Sequence, residues 1–545
     1  MQGMMMERPL LISSLLDHAV DYYGSCEVVS VTSDDPDFRI SYQGISGHAK
    51  QLAQALIQRF GIQKGDRIAT LAWNDHRHLE IYYGVAGMGA VCHTINPRLF
   101  ADQIIYIVNH AKDRLLFVDP MFLPLIEKLR PKLPSLEHVI LMTSKEAMPA
   151  ETDGQYLAYD EVLAEQSENF DWPSFDETTA SGLCYTSGTT GHPRGVLYHH
   201  RSTILHSLAI SLPNALGLSR DDTLLPVVPM FHVNAWGTPY ACPMAGTRMV
   251  MPGPRLDGAS LYGLMDREAV TVSAGVPTIW AGLLDHCAKE GLTLNALKRV
   301  VIGGSAAPLS MIERFENDHD VEVLHGWGMT EMSPVGALNR LGASYQHLDA
   351  AERHQLKVKQ GRPLWGVDVK IVNEQGKRLP HDGQAAGILM VRGPWITSGY
   401  YEDEEANEAA FDRDGWFSTG DIATIDQDGF LQITDRTKDV IKSGGEWISS
   451  IDLENIAVGH EAVAEAAVIG IVHPKWDERP LLIVVKHEDQ TIDGADMLAF
   501  LEGKVAKWWL PNDVIFVDEL PHTATGKIQK TVLREQFKDY RFADT

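Results

Sequence analysis

One decapeptide, rich in hydroxyl groups and glycine, gives the clearest indication of the chemistry of this chain. Its sequence is Thr186-Ser187-Gly188-Thr189-Thr190-Gly191-His192-Pro193-Arg194-Gly195. Its hydroxyls and glycines let backbone N–H and side-chain O–H groups surround phosphate oxygens, and Arg194 supplies a cation. The segment therefore predicts a phosphate-binding loop. The Gly-x-x-x-x-Gly-Lys-Ser/Thr spacing of P-loop kinases and GTPases is absent, which disfavours that class. A flexible turn is the alternative that composition alone leaves open.

Two further residues suit the handling of phosphate charge. Glu331 follows Thr330, and a carboxylate beside a hydroxyl suits Mg²⁺ held against phosphates, although Thr-Glu also begins many helices. Lys527 follows the short segment Pro521 to Gly526, where a lone ammonium could neutralise charge developing on a phosphoryl oxygen. A solvated surface lysine is the alternative for Lys527.

The elements that must position these residues follow an alternation of helical patterns with short apolar runs. Such alternation is typical of doubly wound α/β sheets. The apolar runs are Arg67 to Ala72, Ala90 to Ile95, Arg114 to Val118, His138 to Met142, Gly182 to Tyr185, Thr223 to Val228, Val270 to Ala274 and Arg299 to Ile302.

Three of the predicted strands lead directly into candidate loops. Tyr185 precedes the phosphate loop, Ile302 precedes Gly303-Gly304-Ser305, and Leu324 precedes His325 to Glu331. Because ligands in open α/β sheets bind at the carboxyl ends of strands, the three loops predict one composite site.

The residue pattern of the sequence changes after about residue 360, where Gly and Asp turns separate short runs with the alternation of β-strands. A dense charged stretch, Asp435 to Asp439, follows, and the remaining chain has its own strand patterns at Ala466 to Val472 and Leu481 to Val485. We therefore expect an α/β protein with two domains. Residues 1–435 would form a large domain of doubly wound sheets with a small β subdomain, and residues 436–545 a smaller, mobile α+β domain that carries Lys527.

The composition of the chain disfavours several classes of binding partner. The 545 residues include 47 Lys and Arg against 73 Asp and Glu, a net charge of −26, which disfavours binding to nucleic acid and to anionic lipid. Five cysteines without a CxxC pair predict neither a zinc site nor a disulfide framework. The apolar run Pro9 to Leu16 is too short to span a membrane. We expect a cytoplasmic protein without integral membrane association.

Five ordered motifs resemble those of the adenylate-forming enzymes, which include acyl-CoA synthetases, luciferases and peptide-synthetase adenylation domains. The motifs are Thr186 to Gly195, Gly326 to Glu331, Ser418 to Asp421, Asp435-Arg436 with Lys438, and Thr525 to Ile528. Two more segments, Pro229 to Trp236 and Lys442 to Ser449, are similar to the fatty acyl-CoA synthetase branch, including its medium-chain and methylthiopropionate-CoA ligase members.

The resemblance implies a reaction in two steps: a carboxylate and ATP form an acyl-adenylate, and CoA then accepts the acyl group. It implies catalytic roles for Thr189, His232, Glu331 and Lys527, and Mg²⁺ held near Thr186 and Glu331. ATP or AMP would be bound by Thr186, Ser187, Gly188, Thr189, Thr190, Gly191, Arg194, Gly304, Ser305, Ala306, His325, Gly326, Trp327, Gly328, Met329, Thr330, Asp421, Arg436, Lys438 and Lys442.

The acid and CoA are assigned by the same resemblance. The acyl group would contact His232, Val233, Trp236, which resembles a tunnel gate, and Gly303. CoA would contact Lys442, Gly444, Gly445, Glu446 and Trp447. The C-terminal domain would rotate about Lys438 between the steps, moving Lys527 out and the CoA segment in.

Two residues depart from the usual family pattern. The phosphate loop commonly ends Pro-Lys-Gly, whereas Arg194 places a planar fork there instead of a point cation. The adenine-stacking position is more often Tyr, whereas Trp327 enlarges the stacking face and lacks the phenol hydroxyl. We expect the Trp327 exchange to have little effect on function.

The favoured hypothesis is an AMP-forming acyl-CoA ligase for a short-to-medium-chain aliphatic carboxylate, either a fatty acid or 3-methylthiopropionate, acting as a homodimer. One alternative is an adenylate-forming enzyme with a carrier-protein thiol or an oxygen as acceptor, and another is a long-chain fatty acyl-CoA synthetase. A nucleotide-binding regulator without turnover is disfavoured by the presence of Thr189, Glu331, Asp421 and Lys527 together.

Overall fold

The computed structural model describes residues 1, 3–149, 152, 155–186, 192–444, 446–487, 490–522 and 527–542. Within these ranges the strands are β1 Glu27–Ser30, β2 Phe38–Ser41, β3 Arg67–Leu71, β4 Val91–Thr94, β5 Leu115–Val118, β6 His138–Leu141, β7 Leu157–Ala158, β8 Ala180–Tyr185, β9 Gly195–His199, β10 Thr223–Pro226, β11 Arg248–Met251, β12 Val272–Gly275, β13 Arg299–Ile302, β14 Glu322–Gly328, β15 Val335–Asn339, β16 Arg362–Pro363, β17 Asp368–Val372, β18 Gly387–Arg392, β19 Phe417–Ile425, β20 Leu431–Arg436, β21 Ile441–Ser443, β22 Glu446–Ile448, β23 Val463–His473, β24 Asp477–Lys486 and β25 Asp513–Phe516.

The helices within the same ranges are α1 Ser13–Tyr23, α2 Tyr42–Gln58, α3 His76–Gly87, α4 Ala101–Ala111, α5 Leu123–Leu129, α6 Tyr159–Ala164, α7 His200–Ser211, α8 Val233–Trp236, α9 Thr238–Ala245, α10 Gly258–Arg267, α11 Pro277–Glu290, α12 Leu309–Glu313, α13 Ala350–Lys357, α14 Glu404–Ala410, α15 Ser450–Val458, α16 Gly494–Leu501 and α17 Lys530–Gln536. None of these helices is both long and apolar enough to cross a membrane.

Two large sheets form the N-terminal part of the molecule. The first has the order β7-β6-β5-β3-β4-β8-β9 and is parallel except for the final hairpin of β8 and β9. The second has the order β16-β15-β14-β13-β12-β10-β11-β1-β2 and is parallel from β1 to β14. The predicted doubly wound α/β fold is therefore confirmed, and each of the eight apolar runs overlaps a strand.

The central strands form where apolar residues are continuous, because helices cover both faces of such a sheet. All four residues of β5 are buried. Helix α3 begins where the Asp75 carboxylate accepts a hydrogen bond from the His78 backbone N–H at 2.8 Å, which satisfies one of the helix's unpaired N–H groups. The loop between β3 and α3 thus has a defined shape at the carboxyl end of its strand.

The remaining two sheets are smaller. Strands β17 to β20 form a four-stranded antiparallel sheet, as predicted for the region after residue 360. In the last sheet β23 and β24 pair antiparallel. Strands β21 and β25 also pair with β24, and β22 pairs with β21. Alternate residues of β23 face two hydrophobic clusters, one built with α15 and one with α17, so both faces of this sheet are covered. Four residues connect β20 to β21 at the predicted domain boundary.

One segment differs from the sequence-based prediction, and a second has an unusual backbone conformation. His325 to Gly328 was expected as a loop but belongs to β14, which pairs with β13 on one side and β15 on the other. Pairing of His325 to Gly328 with β15, and of His325 also with β13, keeps this glycine-rich segment extended. In α8 the four residues Val233 to Trp236 have φ between 46° and 57°, so this element is a left-handed turn, a conformation that costs roughly 1–2 kcal/mol per non-glycine residue.

Candidate active site

One cavity of about 530 Å³ lies between the carboxyl ends of the large sheets, the small β sheet and the C-terminal region. It brings together most of the predicted site residues. Those lining it are Thr186, Arg194, His232, Val233, Trp236, Gly303, Gly304, Ser305, Ala306, His325, Gly326, Trp327, Gly328, Met329, Thr330, Glu331, Asp421, Arg436, Lys438 and Lys527. Ser187, Gly188, Thr189, Thr190, Gly191 and Gly445 lie outside the described residues.

Glu331 is buried and held in one orientation. The Tyr400 hydroxyl donates to Glu331 Oε1 at 2.7 Å, and the Thr397 backbone N–H donates to the Glu331 carbonyl at 2.7 Å. Burial raises the pKa of the Glu331 carboxyl, and the Tyr400 hydrogen bond opposes that rise. Sequence reasoning missed Tyr400, and the available signal was its position after a glycine following β18.

The predicted adenine and ribose residues contact each other directly. The Trp327 indole N–H donates to Asp421 Oδ2 at 2.9 Å, which fixes the plane of the indole ring. Arg436 Nε lies 3.6 Å from Asp421 Oδ1, and the two residues are cross-strand partners on β19 and β20. The tryptophan at this position therefore gains a hydrogen bond to a residue predicted to bind ribose.

Lys527 lies in the same cavity as the acidic residues. Its pKa is lowered to about 8, chiefly because the ammonium is desolvated and further because the Arg436 guanidinium is near, while Asp421 and Glu331 oppose the shift. Gly304 has φ of 82°, and a Cβ added there would lie 3.9 Å from Lys527 Cε. The glycine turn and the lysine are thus neighbours across the cavity.

The predicted acyl residues form a different wall of the cavity. Burial first, and the nearby Lys527 charge second, lower the pKa of His232 to about 4, so the imidazole is neutral at pH 7. The Trp236 indole packs over Gly303, where an added Cβ would lie 3.0 Å from the ring. Asn234 anchors the left-handed turn, because its side-chain oxygen lies 3.1 Å from the Tyr82 hydroxyl.

A second residue missed by sequence reasoning holds the segment before this turn. The Asn74 amide donates to the carbonyls of Pro226 and Val228, each at 2.9 Å, and accepts from the Met230 backbone N–H at 2.6 Å. Asn74 is buried and follows β3 in the first large sheet. Its polarity at a strand's carboxyl end was the only local signal.

The two flanks of the predicted phosphate loop close on each other. The Thr186 N–H donates to the Arg194 carbonyl at 2.9 Å, and the Arg194 N–H donates to Thr186 Oγ1 at 3.3 Å. The Arg194 guanidinium lies 5.2 Å from the centre of the Tyr400 ring and 3.8 Å from Asp403 Oδ2. The arginine fork is therefore engaged with the connection between β18 and α14 and with the residue that precedes α14.

The four predicted CoA residues that the structure describes do not line the cavity. Lys442, Gly444, Glu446 and Trp447 belong to the hairpin of β21 and β22, and Lys442 Nζ lies 3.4 Å from Glu374 Oε1. The Gly444 N–H donates to the Trp476 carbonyl at 2.8 Å, and the Trp476 ring is 42% exposed. In this arrangement Lys527 occupies the cavity and the hairpin is outside it.

The donor set suits a magnesium ion that is shared with substrate. Among the described residues no cluster of three or more His, Cys, Asp or Glu could hold a metal. Mg²⁺ is, however, often bound by one or two carboxylates together with substrate phosphates, and Glu331 and the Thr186 hydroxyl line one cavity. The residues present therefore fit an ion that arrives with ATP.

The fold and this cavity define an adenylate-forming enzyme, and comparison with known proteins agrees. The profile of the AMP-binding enzyme family matches residues 17–401, and that of its C-terminal domain matches residues 452–527. The crystal structure of the anthranilate CoA ligase AuaEII with anthranoyl-AMP superimposes with a TM-score of 0.86 at 25% identity, covering 97% of this chain and 99% of that one. The chain belongs to the AMP-binding enzyme family.

Two curated relatives define the branch within the family. A 3-methylmercaptopropionyl-CoA ligase of Ruegeria pomeroyi is 54% identical over 99% of both chains. A medium-chain-fatty-acid–CoA ligase of Ectopseudomonas oleovorans is 49% identical over 99% of this chain and 98% of its own. The chain is therefore an AMP-forming acyl-CoA synthetase of the fatty acyl-CoA branch.

Proposed function

We propose that this acyl-CoA synthetase activates a short-to-medium-chain aliphatic carboxylate, with 3-methylthiopropionate and straight-chain fatty acids as the candidate acids. The observation that supports this most is the position of Lys527 in one cavity with Asp421, Glu331 and the wall formed by His232 and Trp236. An acid, an α-phosphate and a cation can meet there. The names of the two relatives favour the same class of acid.

The first step must bring two anions together. Lys527 and Arg436 place positive charge in the same cavity as the acyl wall, where it would offset charge developing on the α-phosphate. Asp421 would accept hydrogen bonds from the ribose hydroxyls while Trp327 supports the adenine. Mg²⁺ held by Glu331 and Thr186 would neutralise phosphate charge when bound.

His232 is suited to orient the acid rather than to exchange protons with it. A neutral imidazole has one N–H donor and one acceptor, and the donor can bind a carboxylate oxygen without adding a charge. Trp236, packed on Gly303, would limit the length of the acyl chain on this side. The strained turn that carries Trp236 is consistent with a residue that changes position during the cycle.

The second step would need a different arrangement of the C-terminal domain. The ion pair between Lys442 of the CoA hairpin and Glu374 is weak, because both side chains are more than half exposed and such ion pairs contribute about 0–1 kcal/mol. Lys438 lies in the short connection between β20 and β21, where a rotation can be absorbed. We infer that rotation there exchanges Lys527 for the hairpin.

The domain division at residues 435 and 436, the Mg²⁺ requirement, a homodimeric assembly and a cytoplasmic location belong to the same proposal. The first is supported by the change of sheet after β20, and the second by the donor set. A homodimer is favoured by the prevalence of two-fold symmetric assemblies. Size-exclusion chromatography with light scattering would measure the assembly directly.

The test measures AMP formation by purified protein with ATP, Mg²⁺ and CoA across straight-chain acids and 3-methylthiopropionate, each with and without CoA. A CoA-dependent optimum at short or medium chain length is the expected result. Pyrophosphate release that is independent of CoA would assign another acceptor, such as a carrier-protein thiol. An optimum at long chain length would overturn the proposed acid class.

A further inference from the structure

A column of three rings joins helix α4 to the second flank of the phosphate loop. The rings of His110 and Tyr106 lie 5.4 Å apart at 18°, and those of Tyr106 and His192 lie 4.3 Å apart at 17°. The base of the column is fixed, because His110 Nδ1 lies 2.7 Å from the Tyr185 hydroxyl and the Tyr401 ring meets His110 edge-on at 5.6 Å. His192 therefore has a defined position although its side chain is exposed.

His192 also lines the central cavity, on the side of the phosphate loop. The guanidinium of Arg194, in the same described part of the loop, is directed at Asp403 and the Tyr400 ring. Stacking uses only the face of the imidazole, so its ring nitrogens remain in the ring plane. Any protonation state of the ring presents at least one N–H donor.

The position of the other ATP residues indicates which part of ATP His192 would meet. Asp421 and Trp327 mark the nucleoside end, and Lys527 lies between that end and the acyl wall. The described flanks of the phosphate loop, Thr186 and His192 to Arg194, are left for the pyrophosphate half of the triphosphate. We propose that His192 is a further ligand of that half of ATP and that Tyr106 is the positioning residue that holds its imidazole there. This inference rests on the proposed function.

Four variants separate the two roles. His192→Phe keeps a ring on Tyr106 but removes the N–H, and His192→Ala removes both. Loss of one charge-assisted hydrogen bond at an exposed site should raise the KM for ATP about tenfold in both variants, with a smaller change in kcat. Tyr106→Leu should raise the KM for ATP several-fold, whereas Tyr106→Phe, which keeps the stacking ring, should have a KM for ATP within about twofold of wild type.

The conversion of supplied acyl-adenylate and CoA to thioester involves no triphosphate, so all four variants should retain it. A matched control is the His18 and Tyr22 ring pair on α1, whose centroids lie 4.9 Å apart and which does not line the cavity. His18→Ala and Tyr22→Leu should leave the KM for ATP unchanged.

A wild-type KM for ATP in His192→Phe would overturn the ligand role. Equal effects of Tyr106→Leu and Tyr106→Phe would overturn the positioning role, and equal loss of both half-reactions in all variants would make the column merely structural. If the wild-type enzyme forms no AMP with any acid, the proposed function fails separately. Binding of a non-hydrolysable ATP analogue, about tenfold weaker in His192→Phe, then still tests this inference.

Discussion

Adenylation should lose rate as pH rises through about 8, because Lys527 can offset phosphate charge only while it is protonated. Burial and the neighbouring Arg436 lower the pKa of this lysine to about 8 in the absence of ATP. The ammonium form prevails below that pH and the neutral amine above it. The pH dependence of kcat/KM for ATP reports this ionisation in the free enzyme.

The size of the effect follows from the pKa. The value of kcat/KM should be nearly constant below about pH 7 and should fall about tenfold for each unit above 8, reaching roughly one-tenth of the plateau at pH 9. Initial rates of pyrophosphate release at subsaturating ATP, in buffers of constant ionic strength, provide the measurement.

Two variants test whether the decline belongs to Lys527. An arginine stays protonated throughout this range, so Lys527→Arg should have a lower rate that no longer declines with pH. Arg436→Gln removes a cation that lowers the lysine pKa, so its decline should begin at higher pH. Lys527→Ala should reduce adenylation by about a hundred- to a thousandfold.

The CoA half-reaction provides the internal control. Free thiols ionise at about 8.5, so thioester formation from supplied acyl-adenylate should rise over the same pH range. A decline near pH 8 that persists in Lys527→Arg, or that is equally present in the CoA half-reaction, would refute the assignment. Equal loss of both half-reactions in Lys527→Ala would refute it as well.

Three further changes test other parts of the site. Lys438→Pro should leave adenylation largely intact and block the CoA step, because the rotation must be absorbed there; an unimpaired thioester rate would contradict this. Gly303→Ala places a methyl group 3.0 Å from the Trp236 indole and should alter the chain-length optimum, as should Trp236→Ala, whereas Gly282→Ala has no atom within 4 Å and serves as control. Unchanged acid profiles would return Trp236 to a packing role. Asn74→Ala removes the hydrogen-bond partner of two carbonyls and one N–H, so it should lower the free energy of unfolding by about 3 kcal/mol. Urea denaturation measures this change, and an unchanged midpoint would contradict the role of Asn74 in holding the segment before the turn.

The sequence predicted the strands well because each strand is marked by a short apolar run of consecutive residues. Arg299 to Ile302 is an apolar run bounded by polar residues and glycine, and its length alone identifies a buried strand. His325 to Gly328 was misread because alternating glycines resemble a loop, and pairing of the segment with β15, and of His325 with β13, makes it extended. That pairing has no local signature.

The site residues divide in the same way. Glu331 and Asp421 stand in recognisable motifs, whereas Tyr400 and Asn74 act through contacts with segments far away in the chain. The left-handed turn at Val233 to Trp236 contains no glycine, and only Asn234 is a residue type that favours this conformation. Its conformation depends on the Tyr82 contact from α3 and on the preceding segment that Asn74 holds.

The arrangement of two lysines is the reason for proposing that the C-terminal domain moves between the two steps. Lys527 and Lys442 both belong to the C-terminal region, yet Lys527 lines the cavity while Lys442 is paired with Glu374 outside it. The first half-reaction needs a cation at the phosphate, whereas the second needs that space for a thiol that approaches the acyl-adenylate. A rigid domain could serve only one of these needs. We infer that the weak exposed ion pair and the four-residue connection after β20 keep the free-energy cost of the proposed exchange low, so that the same cavity serves both steps in turn.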